Sequence, residues 1–399
     1  MKQFSPPNAI TEILRRLTQA GYQGYLVGGC VRDGLLGLTP HDWDICTDAL
    51  PEAVQALFPG SLTYGMKHGT VTVRNGETMA EVTTFRSEGA YSDHRRPDQV
   101  TFISDLRADL ARRDFTVNAI AMDAEGVLHD PFGGQQDLKS RVIRAVGTAE
   151  ERFSEDALRM LRAVRFSAQL GFSIEEKTGR AIAHCAPLVS SLAAERVCAE
   201  LEKTLLTPRP EFAVTMSETN LLAPWGICGP LGDAGWLSSL APERLKRWAG
   251  FSLLLSSVDA LRALRLDGSA LHVCEAVQEL LSARPRTEIE WKAAISAYGK
   301  ERALTAAEVF TAMDGGDDLD AIQTIMRRGD CCTIGELAIG GNDLKALGLR
   351  GRKVGTALHA ALRRVWEHPE DNTAEALTSW IRREMNTDGG FLGSSESGL

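Results

Sequence analysis

Asp42 and Asp44 stand two residues apart in the stretch His41-Asp42-Trp43-Asp44-Ile45-Cys46. If Trp43, Ile45 and Cys46 mark a strand, residues two apart share a face. Both carboxylates then converge on one point. Hard cations such as Mg2+ take oxygen ligands, and phosphoryl transfer commonly uses two such ions. The competing reading is a solvated turn with two surface acids, the commoner fate of an isolated Asp-x-Asp. Just upstream, Gly28-Gly29 follow the apolar run Tyr25-Leu26-Val27 and precede Val31-Arg32-Asp33. Glycines let backbone N–H groups approach a phosphate, and Leu35-Leu36 indicate a helix whose N-terminus would favour an anion. Arg32 adds a planar fork of donors. Each feature alone also fits a plain strand-to-helix turn. Together, between Tyr25 and Asp48, they describe a phosphate cradle beside a metal-holding strand. Glu81, set among Val82, Thr83, Thr84 and Phe85, is either a third carboxylate or an edge-strand acid that discourages pairing with other chains.

A second constellation lies in EDALRMLRAVRFSAQLGF, which starts at Glu155. On one helix, Asp156 and Arg159 are neighbours, and Arg162 and Arg165 continue at the same step. An intrahelical ion pair is the ordinary explanation. The other is chemical: an aspartate accepts hydrogen bonds and an arginine donates them. Cytosine and adenine both present an amino donor beside a ring-nitrogen acceptor. Uracil and guanine present the reverse order. One Asp–Arg pair therefore selects C and A against U and G without a template, and such sites reject the wrong analogue by roughly 10⁴–10⁵. Arg162 and Arg165 would hold phosphates or cover the site.

The elements that must position these groups divide the chain in two. Ile10, Ile13, Leu14 and Leu17 have helical spacing, with Asn8 as N-cap and Gly21 as the stop. Tyr25–Val27 reads as a buried strand, and Asn75-Gly76 joins two strand-like runs as a hairpin. Residues 86–97, RSEGAYSDHRRP, read as a mobile polar loop. Beyond about residue 148 helical patterns take over, over 155–170, 175–185 and 193–206 and again beyond Pro208. With 399 residues and 44% hydrophobic content, several domains are expected. The net charge of −9 argues against a surface coated in basic groups for duplex DNA, though a local basic patch can still bind RNA. The eight cysteines form no Cys-x-x-Cys pair, which excludes a common zinc pattern. The amino end has no apolar signal-like stretch, and no run is long enough to cross a bilayer, so a reduced, cytoplasmic protein is expected.

The ordered motifs YLVGGCVRD, DWDICTDALPE, HGTVTV, AEVTTFR, RRDFTVNAIAMD, DPFGGQQDL and EDALRMLRAVRFSAQLGF resemble the bacterial CCA-adding enzymes, tRNA nucleotidyltransferases grouped with bacterial poly(A) polymerases. The resemblance spans residues 25 to about 172. It implies an α+β chain: a polymerase-beta-like nucleotidyltransferase head (1–147), then an all-helical neck that recognises the base (148–207), body (208–330) and tail (331–385), ending in a flexible segment (386–399). It also implies template-independent addition of CCA to the 3′ end of tRNA from CTP and ATP, with pyrophosphate released and two Mg2+ ions assisting. By that resemblance, Asp42 and Asp44 hold metal. Gly29, Arg32 and Arg113 contact the nucleotide, with Gly28 an additional candidate. Asp114 and Asn118 lie near the ribose. Asp156 and Arg159 read the base, with Arg162 and Arg165 beside it. The 86–97 loop matches an element linked to switching from C to A addition. Lys345, Arg350, Arg352 and Lys353, in GGNDLKALGLRGRKVGTALHAALRRV, are the expected contacts to the tRNA acceptor region. An A-adding enzyme or poly(A) polymerase, and an RNA-binding protein with an inactive head, remain the alternatives.

Overall fold

A computed structural model describes residues 4–66, 69–88 and 100–386. The expected loop therefore falls largely outside the described residues, as does nearly all of the expected C-terminal flexible segment. The chain forms two compact units, one of Met1–Ala234 with Ala263–Arg265, the other of Gly235–Arg262 with Leu266–Leu399. The expected head and neck both lie in the first unit and the expected tail in the second. The expected body is divided between them.

The first unit is built on a mixed six-stranded sheet. Helix α1 (Asn8–Gln19) buries Ile10, Ile13, Leu14 and Leu17, the four positions whose spacing marked it as amphipathic. Pro7, not Asn8, is its N-cap. Strand β1 (Gly24–Val27) leads into α2 (Gly29–Leu36), and β2 (Asp44–Thr47) into α3 (Pro51–Leu57). β3 (Thr70–Asn75) and β4 (Thr78–Thr84) form the expected hairpin, with Gly76 at a positive φ that favours glycine. β5 (Arg86–Glu88) pairs with β6 (Val100–Phe102), and α4 (Leu106–Ala111) comes after them. A 3₁₀ turn at Thr116–Asn118 precedes β7 (Ala121–Met122) and β8 (Leu128–His129). The strand order is β3-β4-β2-β1-β7-β8. β2 and β4 run parallel, with Asp44 registered on Glu81, while the other neighbours in this sheet are antiparallel. A parallel pair needs a crossover, and α3 with β3 supplies it. Val27, Cys46, Phe85, Leu110, Ala119, Ala121 and Val146 form a core cluster in this region.

Helices dominate the remainder of the first unit. After α5 (Gly134–Ser140) and β9 (Val142–Ile143) come α6 (Ala149–Glu155) and α7 (Leu158–Leu170), then β10 (Ser173–Ile174), α8 (Glu176–Cys185) and α9 (Ala194–Leu205). One continuous helix over 155–170 is not what forms. Asp156 takes an extended backbone (φ −141°), and its Oδ1 accepts the Leu158 N–H at 3.0 Å, so the side chain satisfies a free donor of α7 and ends α6. The second unit is helical throughout its described regular structure, including Gly268–Ser282, Lys300–Asp314 and Arg352–Glu367. Leu344, Leu349, Ala357, Ala361, Val365, Leu377 and Ile381 form a core cluster near its C-terminal end.

A buried polar network fastens α7 to the sheet domain. Asp114 and Asn118 are buried, and Asn118 Nδ2 donates to Asp114 Oδ1 at 3.0 Å. Arg162 of α7 donates to the other carboxylate oxygen from Nε at 2.8 Å and from Nη2 at 2.7 Å. Arg32 of α2 donates to Asn118 Oδ1 at 2.8 Å. Burial pushes the Asp114 carboxyl up, but the charge of Arg162 and the bonds from Asn118 and Arg162 outweigh it and hold it at about 2, against an ordinary 3.8. A carboxyl more acidic when folded stabilises the fold above its ordinary pKa and loses that stabilisation as pH falls through the folded value. Asp114→Asn, which leaves Arg162 without its partner, should cost about 3 kcal/mol at neutral pH. The deficit should shrink as pH falls from about 4 towards about 2. Urea unfolding of both proteins at a series of pH values measures it, and a deficit that ignores pH would refute the charge argument.

Candidate active site

Two glycine properties set up the site. Gly28 lies between β1 and α2 with φ 80°, a conformation other residues adopt at a cost. A Cβ there would stand 3.1 Å from Arg113 Nη1 and 3.7 Å from Asp44 Oδ2. The bare α-carbon thus lets an arginine and a metal-type carboxylate close on the backbone together. Gly29 opens α2, and a Cβ there would face Arg32 Nη2 at 3.7 Å. The glycine pair at a helix start is as the sequence predicts.

The Asp-x-Asp geometry differs from the expectation. β2 begins at Asp44, so Asp42 sits in the bend before it and is exposed, while Asp44 is half-buried. The ladder extends only to the carbonyl of Trp43, which accepts the Glu81 N–H at 2.9 Å. Strand alternation therefore does not bring the two acids together. They meet instead as walls of one cleft of about 500 Å3, which Glu81, Thr72 and Met79 also line. The Asp44 carboxyl is pushed up, chiefly by burial; Arg113 opposes the shift, while Glu81 and Asp42 add to it. Like charge is concentrated here, and the donors are carboxylate oxygens, the set a hard divalent cation prefers. Among the described residues, no group of three His, Cys, Asp or Glu side chains has metal-holding geometry. Glu81 is thus a registered neighbour of Asp44 and not a member of such a cluster.

Arg113 does not pair with Asp114, the ordinary expectation for adjacent residues. Its Nη2 lies 3.6 Å from Asp109 Oδ2, and Arg112 Nε donates to Asp109 Oδ1 at 2.9 Å. Arg113 Nε is buried without a hydrogen-bond partner, a costly state on a wall of the same cradle.

Asp156 and Arg159 lie where α7 begins, yet they do not bond each other through their side chains. Asp156 Oδ2 accepts from Arg196 Nη2 on α9 at 3.0 Å. Arg159 Nη1 donates to Glu155 Oε2 at 2.9 Å and Nη2 to the Arg112 carbonyl at 2.8 Å. The intrahelical pair is therefore not made, because the helix breaks between the two residues. Arg165 donates from Nε to Glu200 Oε2 at 2.6 Å. Arg32, Arg162 and Arg165 all gather over the Phe166 ring, at 5.1, 5.2 and 4.0 Å from its centre. No sequence signal points to Arg196 or Glu200, which reach the site only because α9 packs on α7. Asp109 and Glu155 were findable from their helical spacing to Arg113 and Arg159.

In the second unit Lys345, Arg350, Arg352 and Lys353 are exposed, as are Arg363, Arg382 and Arg383. Arg350 donates to the carbonyl of Lys345, in the helix Gly341–Ala346, and to that of Leu349. Among the described residues no helix is long and apolar enough to cross a membrane.

Residues 24–144 match the Poly A polymerase head domain. Residues 171–225 match the family described as a probable RNA- and SrmB-binding site of polymerase A, and residues 242–381 the putative tRNA nucleotidyltransferase domain 2. The CCA-adding enzyme of Geobacillus kaustophilus is 40% identical over 94% of this chain and 96% of its own. That of Leuconostoc mesenteroides is 55% identical over 49% of this chain and 48% of its own. The structure of the Bacillus stearothermophilus CCA-adding enzyme in complex with CTP superposes with a TM-score of 0.79 at 37% identity, covering 96% of this chain and all of that one. With its carboxylate cleft, its helix-borne arginines and a relative matched over nearly the whole chain, the chain belongs to the CCA-adding enzyme family.

Proposed function

We propose that this protein adds CCA to the 3′ end of tRNA, one nucleotide at a time, from CTP and ATP and without a template. The observation that carries it is the juxtaposition at Gly28 of Asp44 and Arg113, a carboxylate for metal and a cation for phosphate on one backbone turn. Its CTP-bound relative supports a nucleoside triphosphate in this head. The tRNA 3′-hydroxyl attacks the α-phosphate and pyrophosphate leaves. Asp42 and Asp44 would hold Mg2+. Bound Mg2+ supplies a hydroxyl of lowered pKa and neutralises the leaving phosphates. Gly28, Gly29, Arg32 and Arg113 cradle the triphosphate, and Asp114 with Asn118 fixes Arg32 beside the sugar. Arg162 and Arg165 flank the nucleotide. A reaction on tRNA with CTP and ATP accords with a cytoplasmic protein. The functional division accords with the same reading: a catalytic head over 1–147, a base-reading neck over 148–207, a helical body over 208–330 and a tRNA-binding tail over 331–385.

Three tRNA transcripts, ending before CCA, after C and after CC, test the reaction with Mg2+ and each nucleotide alone or CTP with ATP. CTP should extend the first by two, ATP the third by one, and the mixture should stop at CCA. Extension of the CC-ended transcript alone would indicate an A-adding enzyme, and a long A ladder a poly(A) polymerase. Asp42→Ala should abolish incorporation and leave tRNA binding nearly unchanged; full activity would refute the metal assignment.

Asp156 and Arg159 are assigned to the base. Asp156 would accept the amino group of C or A, and Arg159 would donate to the ring nitrogen. In the double variant Asp156→Ala, Arg159→Ala, discrimination against UTP and GTP should fall by a factor on the order of 10³ or more, read as kcat/KM ratios. Unchanged ratios would overturn the assignment.

The exposed cluster Lys345, Arg350, Arg352 and Lys353 is assigned to tRNA phosphates. Removing any one of these charges should reduce the slope of log affinity against log salt by up to about 0.9. Changing all four to Gln should therefore weaken binding at low salt and flatten that slope. Wild-type binding in the variant would place the tRNA surface elsewhere.

A further inference from the structure

Asp42 lies outside the sheet ladder, so hydrogen bonding within β2 does not fix its direction. The backbone beside it is held at Trp43, through the bond from the Glu81 N–H to the Trp43 carbonyl. That leaves the Trp43 side chain as the other handle on the turn. Trp43 is half-buried, and its ring lies against Phe4, with centroids 6.2 Å apart and planes 5° from parallel. Phe4 in turn rests on α2. A Cβ at Gly34 would fall 2.3 Å from Phe4 Cδ2 and 2.4 Å from Cε2 and Cγ, so the ring lies flat on a helix face that only glycine leaves bare. Gly34 is two residues after Arg32 on the same helix.

We infer that Phe4 is a positioning residue for the carboxylate pair. It bridges two parts of the site through aromatic packing: α2, which carries Gly29 and Arg32, and the bend that carries Asp42 just before Asp44 opens β2. Parallel ring stacking is favourable beyond burial alone, and it acts on the one residue between the two acids. Removing the ring frees Trp43 to turn, and the segment carrying Asp42 turns with it. The inference rests on the metal role proposed for Asp42 and Asp44.

The test uses the full chain with Phe4→Ala, Phe4→Leu and Phe4→Tyr. Leu keeps apolar cover over Gly34 but loses the stack, so it guards against an Ala variant that folds poorly. Two Mg2+ midpoints are measured: that of CTP incorporation, and that of the rise in Tm that CTP produces. Ala and Leu should raise both midpoints by a factor on the order of ten, and Tyr should restore them. Ala and Leu variants with a lower Tm but wild-type midpoints would show a purely structural role and overturn the inference. So would a Tyr variant that behaves like Ala. Asp42→Ala runs alongside. If it stays active, the metal assignment itself has failed. If it is inactive while the Phe4 variants keep wild-type midpoints, only the positioning role has failed.

Discussion

A carboxylate cannot stay ionised in a protein interior without a cation and hydrogen bonds around it. Asp114 is such a group, and its cation comes from a different part of the fold, Arg162 of α7. The requirement fixes the rotation of α7 against the sheet domain, because both nitrogens of one edge of Arg162 are used. The rest of α7 then has no freedom to slide. Its first turn must bring Arg159 to the Arg112 carbonyl, next to Arg113 and the glycine cradle. Asn118 carries the same constraint to Arg32 and so to α2. One buried ion pair thus sets the distance between the Gly28–Arg113 cradle and the Asp156–Arg159 pair, the proposed phosphate and base ends of the site.

Around that pair the charges are arranged against the net charge of the chain. The protein is acidic, at −9, yet three guanidinium groups share the Phe166 ring. Each also has an acid: Asp33 for Arg32, Asp114 for Arg162 and Glu200 for Arg165. Pairing lets the cations be gathered without the repulsion that three bare arginines would suffer. An incoming triphosphate would then meet oriented donors instead of a diffuse positive surface, and orientation is what a nucleotidyl transfer asks of its binding site. Elsewhere in the first unit, Asp42, Asp44 and Glu81 line one cleft, and Arg113 is the cation that acts on Asp44. The two clusters therefore have opposite character, which suits the phosphate and metal roles proposed for them.

Local chemistry made much of this readable. The glycine pair, the hairpin turn and the amphipathic first helix each rest on residues near in sequence, and each stands where the spacing places it. The family motifs add the order of the head and its helical continuation. Two things were not readable, for one physical reason. The β2 ladder on β4 ends at the Trp43 carbonyl, short of Asp42, and the long helix breaks because Asp156 caps its second half. Both are decided by a hydrogen bond that the apolar pattern does not record. Arg196 and Glu200 are hidden further, since α9 must first be packed on α7 before either has a role.

If Asp156 and Arg159 read the base as proposed, the break at Asp156 decides how they can do so. On an unbroken helix Asp156 and Arg159 would face one another and neutralise each other, leaving little for a base to bond. With the chain extended at Asp156, each side chain takes a separate partner, Arg196 and Glu155. Those partners are charged and hold the two side chains in place, the carboxylate as acceptor and the guanidinium as donor, which is the property that the proposed reading of C and A requires. A base with the right edge can add a bond to each. A base with the reversed edge sets a carbonyl against the carboxylate and an N–H against the guanidinium, and neither residue can turn to accommodate it without giving up its own partner. Under the proposed role, selectivity would come less from the two readers than from the ion pairs that keep them from moving.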